Sequence, residues 1–237
     1  MAYKRVLLKL SGEALAAKDG ILDDNMLNTV AKVVADCVKD GSQVGIVIGA
    51  GNIWRGARQG SGMDRVRADH MGMLATVINC LAMQDALIRQ GQKAITMSAQ
   101  PMEAFAETYT KRSAIKAMEE GNVVLFAAGS GCPYFSTDTA AVLRAAEIEA
   151  DAALFAKNID GVYDSDPKLN PNAKRFTTID YGDIFKMNLK AIDLTAAAFC
   201  MDAGMKVFVF ALDDPDNIKR AINGENIGTL IYKGETK

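Results

Sequence analysis

Short apolar runs recur along the chain at 5–10, 44–48, 94–97, 123–128, 152–156 and 207–211, and most of the intervals between them carry apolar residues at helical spacing. Runs of this length read as strands buried on both faces. Strands that alternate with helices predict a parallel sheet covered on both sides. The expected fold class is therefore α/β, a three-layer αβα sandwich around a central, mostly parallel sheet. At 237 residues the chain suits one large domain or two closely joined lobes, burying roughly three quarters of its unfolded surface. No repeat or linker divides it. A single domain is expected, with one lobe over about 1–150 and another over about 151–237, sharing one sheet.

Asp23 or Asp24 is placed to cap a helix whose positions Leu27, Val30, Val34 and Cys37 follow helical spacing, with Gly41 as its stop. Residues 57–68 are polar, with Gly60, Gly62, Arg58, Arg65 and Arg67, and read as a surface loop. Asp69 or a neighbour is then expected to start a long helix to about Gln90. Its apolar positions, Met71, Leu74, Val77, Ile78, Leu81 and Leu87 among them, cover more than one face, which suits the core and a subunit interface. Further helices are expected near Pro101 and over 111–120, from Thr137 or Asp138 to 148, around 193–203 and after Pro215. A turn with a short strand is expected at 160–163, and a last strand near 229–232.

The formal net charge of −2 offers no general attraction to a polyanion, which argues against nucleic-acid or anionic-membrane partners. The start has no signal-peptide pattern and no apolar stretch is expected to span a bilayer, so a cytoplasmic location is expected. One histidine and four cysteines without paired spacing argue against a zinc site. Cys132, in a glycine-rich loop, is the one cysteine expected to be exposed.

Ligands of parallel sheets bind at the carboxyl ends of the strands, which here fall at Lys9, Gly51, Ser130 and Lys157. The run from Val44 to Gly56 passes without a polar break into glycines and Arg55, bringing backbone N–H groups and a guanidinium to one point. Such a point suits a phosphate. Lys9 closes an apolar strand, where it either snorkels to the surface or binds an anion. No G-x-x-x-x-G-K-[ST] motif is present. Gly49-x-Gly51 resembles the opening of a dinucleotide fingerprint, but Trp54 stands where its third glycine belongs and Asp69 is expected to open a helix.

What remains is Lys9-Leu10-Ser11-Gly12-Glu13-Ala14, Gly49-Ala50-Gly51-Asn52 with Arg55, the run Ala68 to Met73, the run Gly129 to Asp138, and Asp160 to Pro167. In this order, over the whole length, these motifs resemble the amino acid kinase superfamily, and within it the bacterial uridylate kinases. Kinases of aspartate, acetylglutamate and carbamate share the first and last motifs in looser form. The Ala-Asp-His-Met-Gly and Pro-Tyr-Phe-Ser-Thr-Asp runs belong to the UMP branch.

The resemblance implies phosphoryl transfer from ATP to UMP, giving ADP and UDP for pyrimidine nucleotide synthesis, with Mg²⁺ carried by the ATP phosphates and no direct protein ligand. It implies an ATP site at Lys9, Leu10, Ser11, Gly12, Glu13, Ala14, Gly51, Arg55, Lys157, Asn158, Tyr163 and Asp166. It implies a UMP site at Ala50, Asp69, Ser130, Gly131, Cys132, Pro133, Tyr134, Phe135, Ser136 and Thr137. Lys9, Arg55, Asp138 and Asp193 are the implied catalytic group, the two carboxylates working around the metal without holding it. A homohexamer, with UTP and GTP as possible effectors, is implied as well.

Ordinary roles stand beside these. Asp69 and Thr137-Asp138 also suit helix caps, Tyr163 a half-buried strand tyrosine, and Asp166 before Pro167 a turn former. Two departures from the family pattern matter. Ala50 replaces a glycine of Gly-Gly-Gly-Asn, which is harmless unless that position needs positive φ, and the loop 16–22 lacks a second glycine found in a GTP-regulated subgroup. Two other functions compete: a kinase of the same fold acting on an amino acid or carbamate, which would want a cationic acceptor pocket, and a nucleotide-binding regulator without turnover.

Overall fold

The structure, a computed structural model, describes residues 2–54 and 62–234. Arg55, expected at the phosphate site, lies outside the described residues. The strands are β1 (Arg5–Leu10), β2 (Gln43–Ile48), β3 (Ala94–Ser98), β4 (Glu107–Thr108), β5 (Val123–Ala127), β6 (Ala152–Lys157), β7 (Thr178–Asp180), β8 (Val207–Ala211) and β9 (Thr229–Tyr232). They form one sheet in the order β4-β3-β5-β2-β1-β6-β8-β9-β7. Every pairing is parallel except β8 with β9.

The helices are α1 (Asp24–Lys39), α2 (Arg65–Arg89), α3 (Lys111–Glu119), α4 (Thr137–Glu147), α5 (Tyr181–Lys186), α6 (Leu194–Ala203) and α7 (Asn217–Ile222). Alternation along the strands divides the core in two. Val6, Leu8 and Leu10 of β1 face α1, α2 and α7 through Val30, Val34, Cys80, Met83 and Ile218. Leu7 faces the other way, toward Ala141, Val142 and Ala145 of α4 and Ala196 and Cys200 of α6. The three-layer α/β/α arrangement follows. Lys9 shares the parity of Leu7 and so points to the α4 side.

Several boundaries differ from the expectations. Helix α2 begins at Arg65, capped by the Asp64 side chain, which accepts from the Arg67 N–H. Asp69 therefore lies in the second turn and is no cap. Helix α4 is capped by Ser136, whose oxygen accepts from the N–H groups of Asp138 and Thr139. Thr137 and Asp138 are thus first-turn residues whose side chains are released for other contacts. No helix forms near Pro101, where residues 103–105 make a turn before the two-residue edge strand β4. Residues 160–163 make a single bridge, Tyr163 to Arg175, instead of a strand.

At 25 residues, α2 is long and apolar enough to cross a bilayer by length and composition, contrary to the expectation that no stretch qualifies. Its polar residues are scattered enough to leave the mean hydropathy high. One side packs on α1 and on strands β2, β3 and β5, while Leu74, Ile78 and Ile88 on the other side are about half exposed.

Candidate active site

The carboxyl ends of β1, β2 and β6 and the N-termini of α4 and α6 deliver the site. The penultimate residue of β1 is Lys9, which is 8% exposed and pairs with Asp138 through Nζ and Oδ1 at 2.9 Å. A buried, paired ammonium excludes the snorkelling alternative. Strand β6 ends in Lys157, whose Nζ lies 3.2 Å from Oδ2 of the same carboxylate and also donates to the Ala191 carbonyl. Phe155, one pleat before Lys157 and paired with Lys9 across the sheet, puts its ring 5.9 Å from the Lys9 ammonium and 5.6 Å from that of Lys157. The result is a cation–anion–cation triad on an aromatic floor, favourable for the cations.

Burial opposes the charge on Asp138, but Lys9 and Lys157 more than offset it and hold the carboxyl below its ordinary range. Burial depresses the Lys157 ammonium, and the Lys9 charge adds to the effect against the opposing pull of Asp138 and Asp193. Among the described residues Asp138 is the one carboxylate bonded to both lysines, Asp193 acting on Lys157 only from a distance, so an anion entering the cleft meets two ammonium groups that can still donate to it.

Asp193 caps α6 by accepting from the Ala196 N–H at 2.7 Å. It also accepts from the hydroxyls of Ser136 and, at 3.1 and 3.2 Å, Thr139. Its oxygens are thus engaged in locking the N-terminus of α6 to that of α4. Asp193 holds the frame of the site and touches neither lysine by hydrogen bond.

At the end of β2 the glycine turn is pressed against the first motif. A Cβ on Gly12 would stand 2.3 Å from the Gly49 carbonyl oxygen and 2.5 Å from Asn52 Oδ1. Only glycine fits there. A Cβ on Gly51 would meet the Glu13 carboxylate at 2.8 Å. Ala50 does not adopt positive φ, so its methyl group is tolerated. Asn79, fully buried in α2, donates to the Gly49 carbonyl at 2.8 Å and exchanges two hydrogen bonds of 2.9 Å with Asn52. Sequence reasoning missed Asn79; its signal is an amide among the apolar positions of the helix.

Two clefts flank this centre. One of about 110 Å³ is lined by Ala50, Asp69, Ser130, Cys132, Phe135, Ser136 and Thr137, all expected acceptor residues, together with Gly72, Met73 and Thr76. Gly131, Pro133 and Tyr134 are outside this lining. Gly131, at φ 82°, serves the loop's course, its carbonyl accepting from Gln100 Nε2 at 2.7 Å. The other cleft, about 920 Å³, is lined by Lys9, Ser11, Ala14, Lys157, Asn158, Tyr163, Asp166 and the segment 211–213. Leu10, Gly12, Glu13 and Gly51 are outside that lining. Leu10 is buried in the core, while Gly12–Leu15 form a short 3-10 helix with Ser11 as its N-cap. Tyr163 is fixed by its hydroxyl to Asp160 at 2.8 Å, and Asp166 accepts from the Lys168 N–H at 2.9 Å. Asp166 is therefore both turn former and cleft wall.

Helix α4 stands between the clefts, with Thr137 facing the smaller one and Asp138 holding the lysines of the larger one. Its N-terminus adds partial positive charge. Among the described residues no group of three or more His, Cys, Asp or Glu side chains converges as a metal cage, and the oxygens of Asp138 are taken by lysines.

Two clefts flanking the N-terminus of α4, the larger one lined by Lys9 and Lys157, at the carboxyl edge of a parallel sheet, define a phosphotransferase of the amino acid kinase type. The model of the Amino acid kinase family matches residues 4–211, and the chain belongs to that family. Among solved structures it is similar to the UMP kinase of Bacillus anthracis, with 38% identity, a TM-score of 0.93, and 98% of this chain and 97% of that one covered. The UMP kinase of Ureaplasma parvum is similar at 39% identity and TM-score 0.93, covering 98% and 100% of the two chains. The uridylate kinase of Archaeoglobus fulgidus matches at 26% identity and TM-score 0.73, over 95% and 99%.

Proposed function

We propose that the protein transfers the γ-phosphoryl group of ATP to UMP, giving ADP and UDP. The observation that carries this is the Lys9–Asp138–Lys157 triad, whose lysines line one cleft while Thr137, next to Asp138 in the chain, walls a second cleft together with Asp69. A phosphate oxygen of UMP attacks the γ-phosphorus and the bond to the β-phosphate oxygen breaks. The nucleophile is already ionised, so no general base is needed; the protein aligns the phosphates and neutralises charge. Lys9 and Lys157 act as point charges on the transferring group, and Asp138 keeps them apart at fixed positions. Asp69 and Thr137 take the ribose, and the loop 130–136 takes the base.

Mg²⁺ fits the donor cleft as an ion held by ATP oxygens and water, since the carboxylates nearby are already paired. It supplies further charge neutralisation between the phosphates. The division into an acceptor lobe over about 1–150 and a donor lobe over about 151–237 belongs to the same proposal, as do a cytoplasmic location, UTP and GTP as effectors, and a homohexamer. The half-exposed apolar row on α2 supports assembly through that helix.

The test is ADP release from Mg²⁺-ATP with UMP, CMP, dUMP, aspartate, N-acetylglutamate and carbamate offered separately, for wild type and Asp69→Ala. Turnover with UMP, sharply weakened in the variant, supports the assignment. Binding of UMP without turnover sinks it and leaves a nucleotide-binding regulator.

A further inference from the structure

The outer wall of the smaller cleft is held by contacts that the substrate roles above leave unused. Oδ2 of Asp69 accepts twice, from Arg65 Nε at 2.8 Å and from the backbone N–H of Tyr134 at 2.8 Å. Arg65 opens α2 one turn before Asp69, and its guanidinium carbon stands 5.2 Å from the centroid of the Tyr134 ring. Tyr134 itself sits at φ 71°, a left-handed conformation that a bulky residue keeps only when neighbours hold it. Among the described residues, Oδ1 of Asp69 has no hydrogen-bond partner and no buried side-chain nitrogen or oxygen lacks one. Oδ1 is therefore open to solvent on a residue that lines the cleft.

We infer that Arg65 and Tyr134 set sugar specificity by engaging Oδ2, so that Oδ1 alone meets the ribose. The inference rests on UMP being the acceptor. One fixed oxygen can receive hydrogen bonds from two neighbouring hydroxyls only if its lone pairs are aimed between them. A carboxylate free to turn gives that aim away, and a sugar lacking one hydroxyl suffers less by comparison. Arg65 is a positioning residue. It acts through Asp69 and, by stacking on the ring, through the left-handed turn at Tyr134. Arg65 is half-exposed, although Asp69 is mostly buried, and an i,i+4 pair with one solvated partner contributes little to folding, so a structural role alone predicts only a small change on substitution of Arg65.

The experiment measures kcat and KM for UMP and dUMP, and KM for ATP, in wild type, Arg65→Ala, Arg65→Lys and Tyr134→Leu, each checked by thermal unfolding. The expected result for Arg65→Ala is a KM for UMP raised roughly tenfold, with KM for ATP and kcat within about twofold. Its preference for UMP over dUMP in kcat/KM should fall about fivefold or more. Arg65→Lys keeps the charge but loses the fork and the stack, and restores only part of the preference. Tyr134→Leu moves the preference in the same direction, and with Arg65→Lys it carries the comparison if Arg65→Ala does not fold. Equal losses for UMP and dUMP, full rescue by lysine, or unchanged discrimination in an active wild-type background overturns the inference alone. A wild type that does not phosphorylate UMP overturns the acceptor assignment and this inference together.

Discussion

Replacing Asn79 by leucine tests whether the glycine turn is held from behind. The side chain is fully buried, and its amide makes one hydrogen bond to the Gly49 carbonyl and two with Asn52. Leucine is close in size, so no large cavity is created, and the cost is in polar groups left without partners. Asn52 keeps its bond to the Ile21 carbonyl at 2.9 Å, so its desolvation loss is partial. A buried group left unsatisfied costs ~1–3 kcal/mol, and with two groups affected, one of them partly, the expected destabilisation is about 2–4 kcal/mol. For a chain of this length that corresponds to a fall of roughly 4–16 °C in Tm. The same change frees the Gly49 carbonyl beside Ala50, so kcat/KM for UMP should drop by about tenfold or more through misplacement of the acceptor phosphate. Asn79→Asp keeps the acceptor for Asn52 but loses the donors and faces a carbonyl with a charge, and should be no milder. Denaturant midpoints and ADP-release kinetics on the two variants provide the readout. A leucine variant that unfolds within about 1 °C of wild type, with normal kinetics, would refute the reasoning.

Two further substitutions bear on the centre. Asp138→Asn leaves two buried ammonium groups facing each other, and a stability loss of about 3–5 kcal/mol with kcat down at least ~100-fold is expected from denaturant titration and ADP release. Because the Asp138 carboxyl is held below its unfolded value of 3.8, its contribution is complete above that pH and is lost as pH falls through the lower folded value. The stability gap between wild type and Asp138→Asn should therefore close only below about pH 4, which urea midpoints measured down to about pH 3 would reveal. Gly12→Ala puts a methyl group within 2.3 Å of the Gly49 oxygen, so a loss of about 1–3 kcal/mol and of most activity is expected; a normal melting curve with normal turnover would contradict the close approach.

Much of this was legible in the sequence because β1, β2, β5, β6 and β8 are buried on both faces and read as unbroken apolar runs. What escaped has physical causes. Strand β4 is Glu107–Thr108, two exposed residues whose strand character comes only from the neighbour they pair with. Strand β7 and helix α5 are too short to show a period. Capping residues trade places easily: Asp64 and Ser136 took roles that Asp69 and Thr137 or Asp138 were expected to fill, and only tertiary contacts decide between chemically equivalent neighbours. In the site, Lys9 and Lys157 were legible as polar groups at strand ends, and Asp69 through the motif it belongs to, although it lies in the second turn of α2 and not at the helix end expected for it. Phe155 and Asn79 were not, since a phenylalanine in a strand and an asparagine in a helix are unremarkable until their partners are known.

Strand β1 lies near the middle of the sheet, between β2 and β6, and this sets a timetable for the nascent chain. Residues 5–10 leave the ribosome first and meet 43–48 soon after, but their other edge stays open until 152–156 emerge. At ordinary synthesis rates that interval is roughly 10–30 s. Throughout it an apolar strand with an unneutralised lysine near its end presents a bare hydrogen-bonding edge, the kind of surface on which incomplete chains pair wrongly with one another. Lys9, Asp138 and Lys157 can come together only when that wait is over, so slow translation before residue 157 prolongs the exposure of that edge, whereas slow translation after it does not.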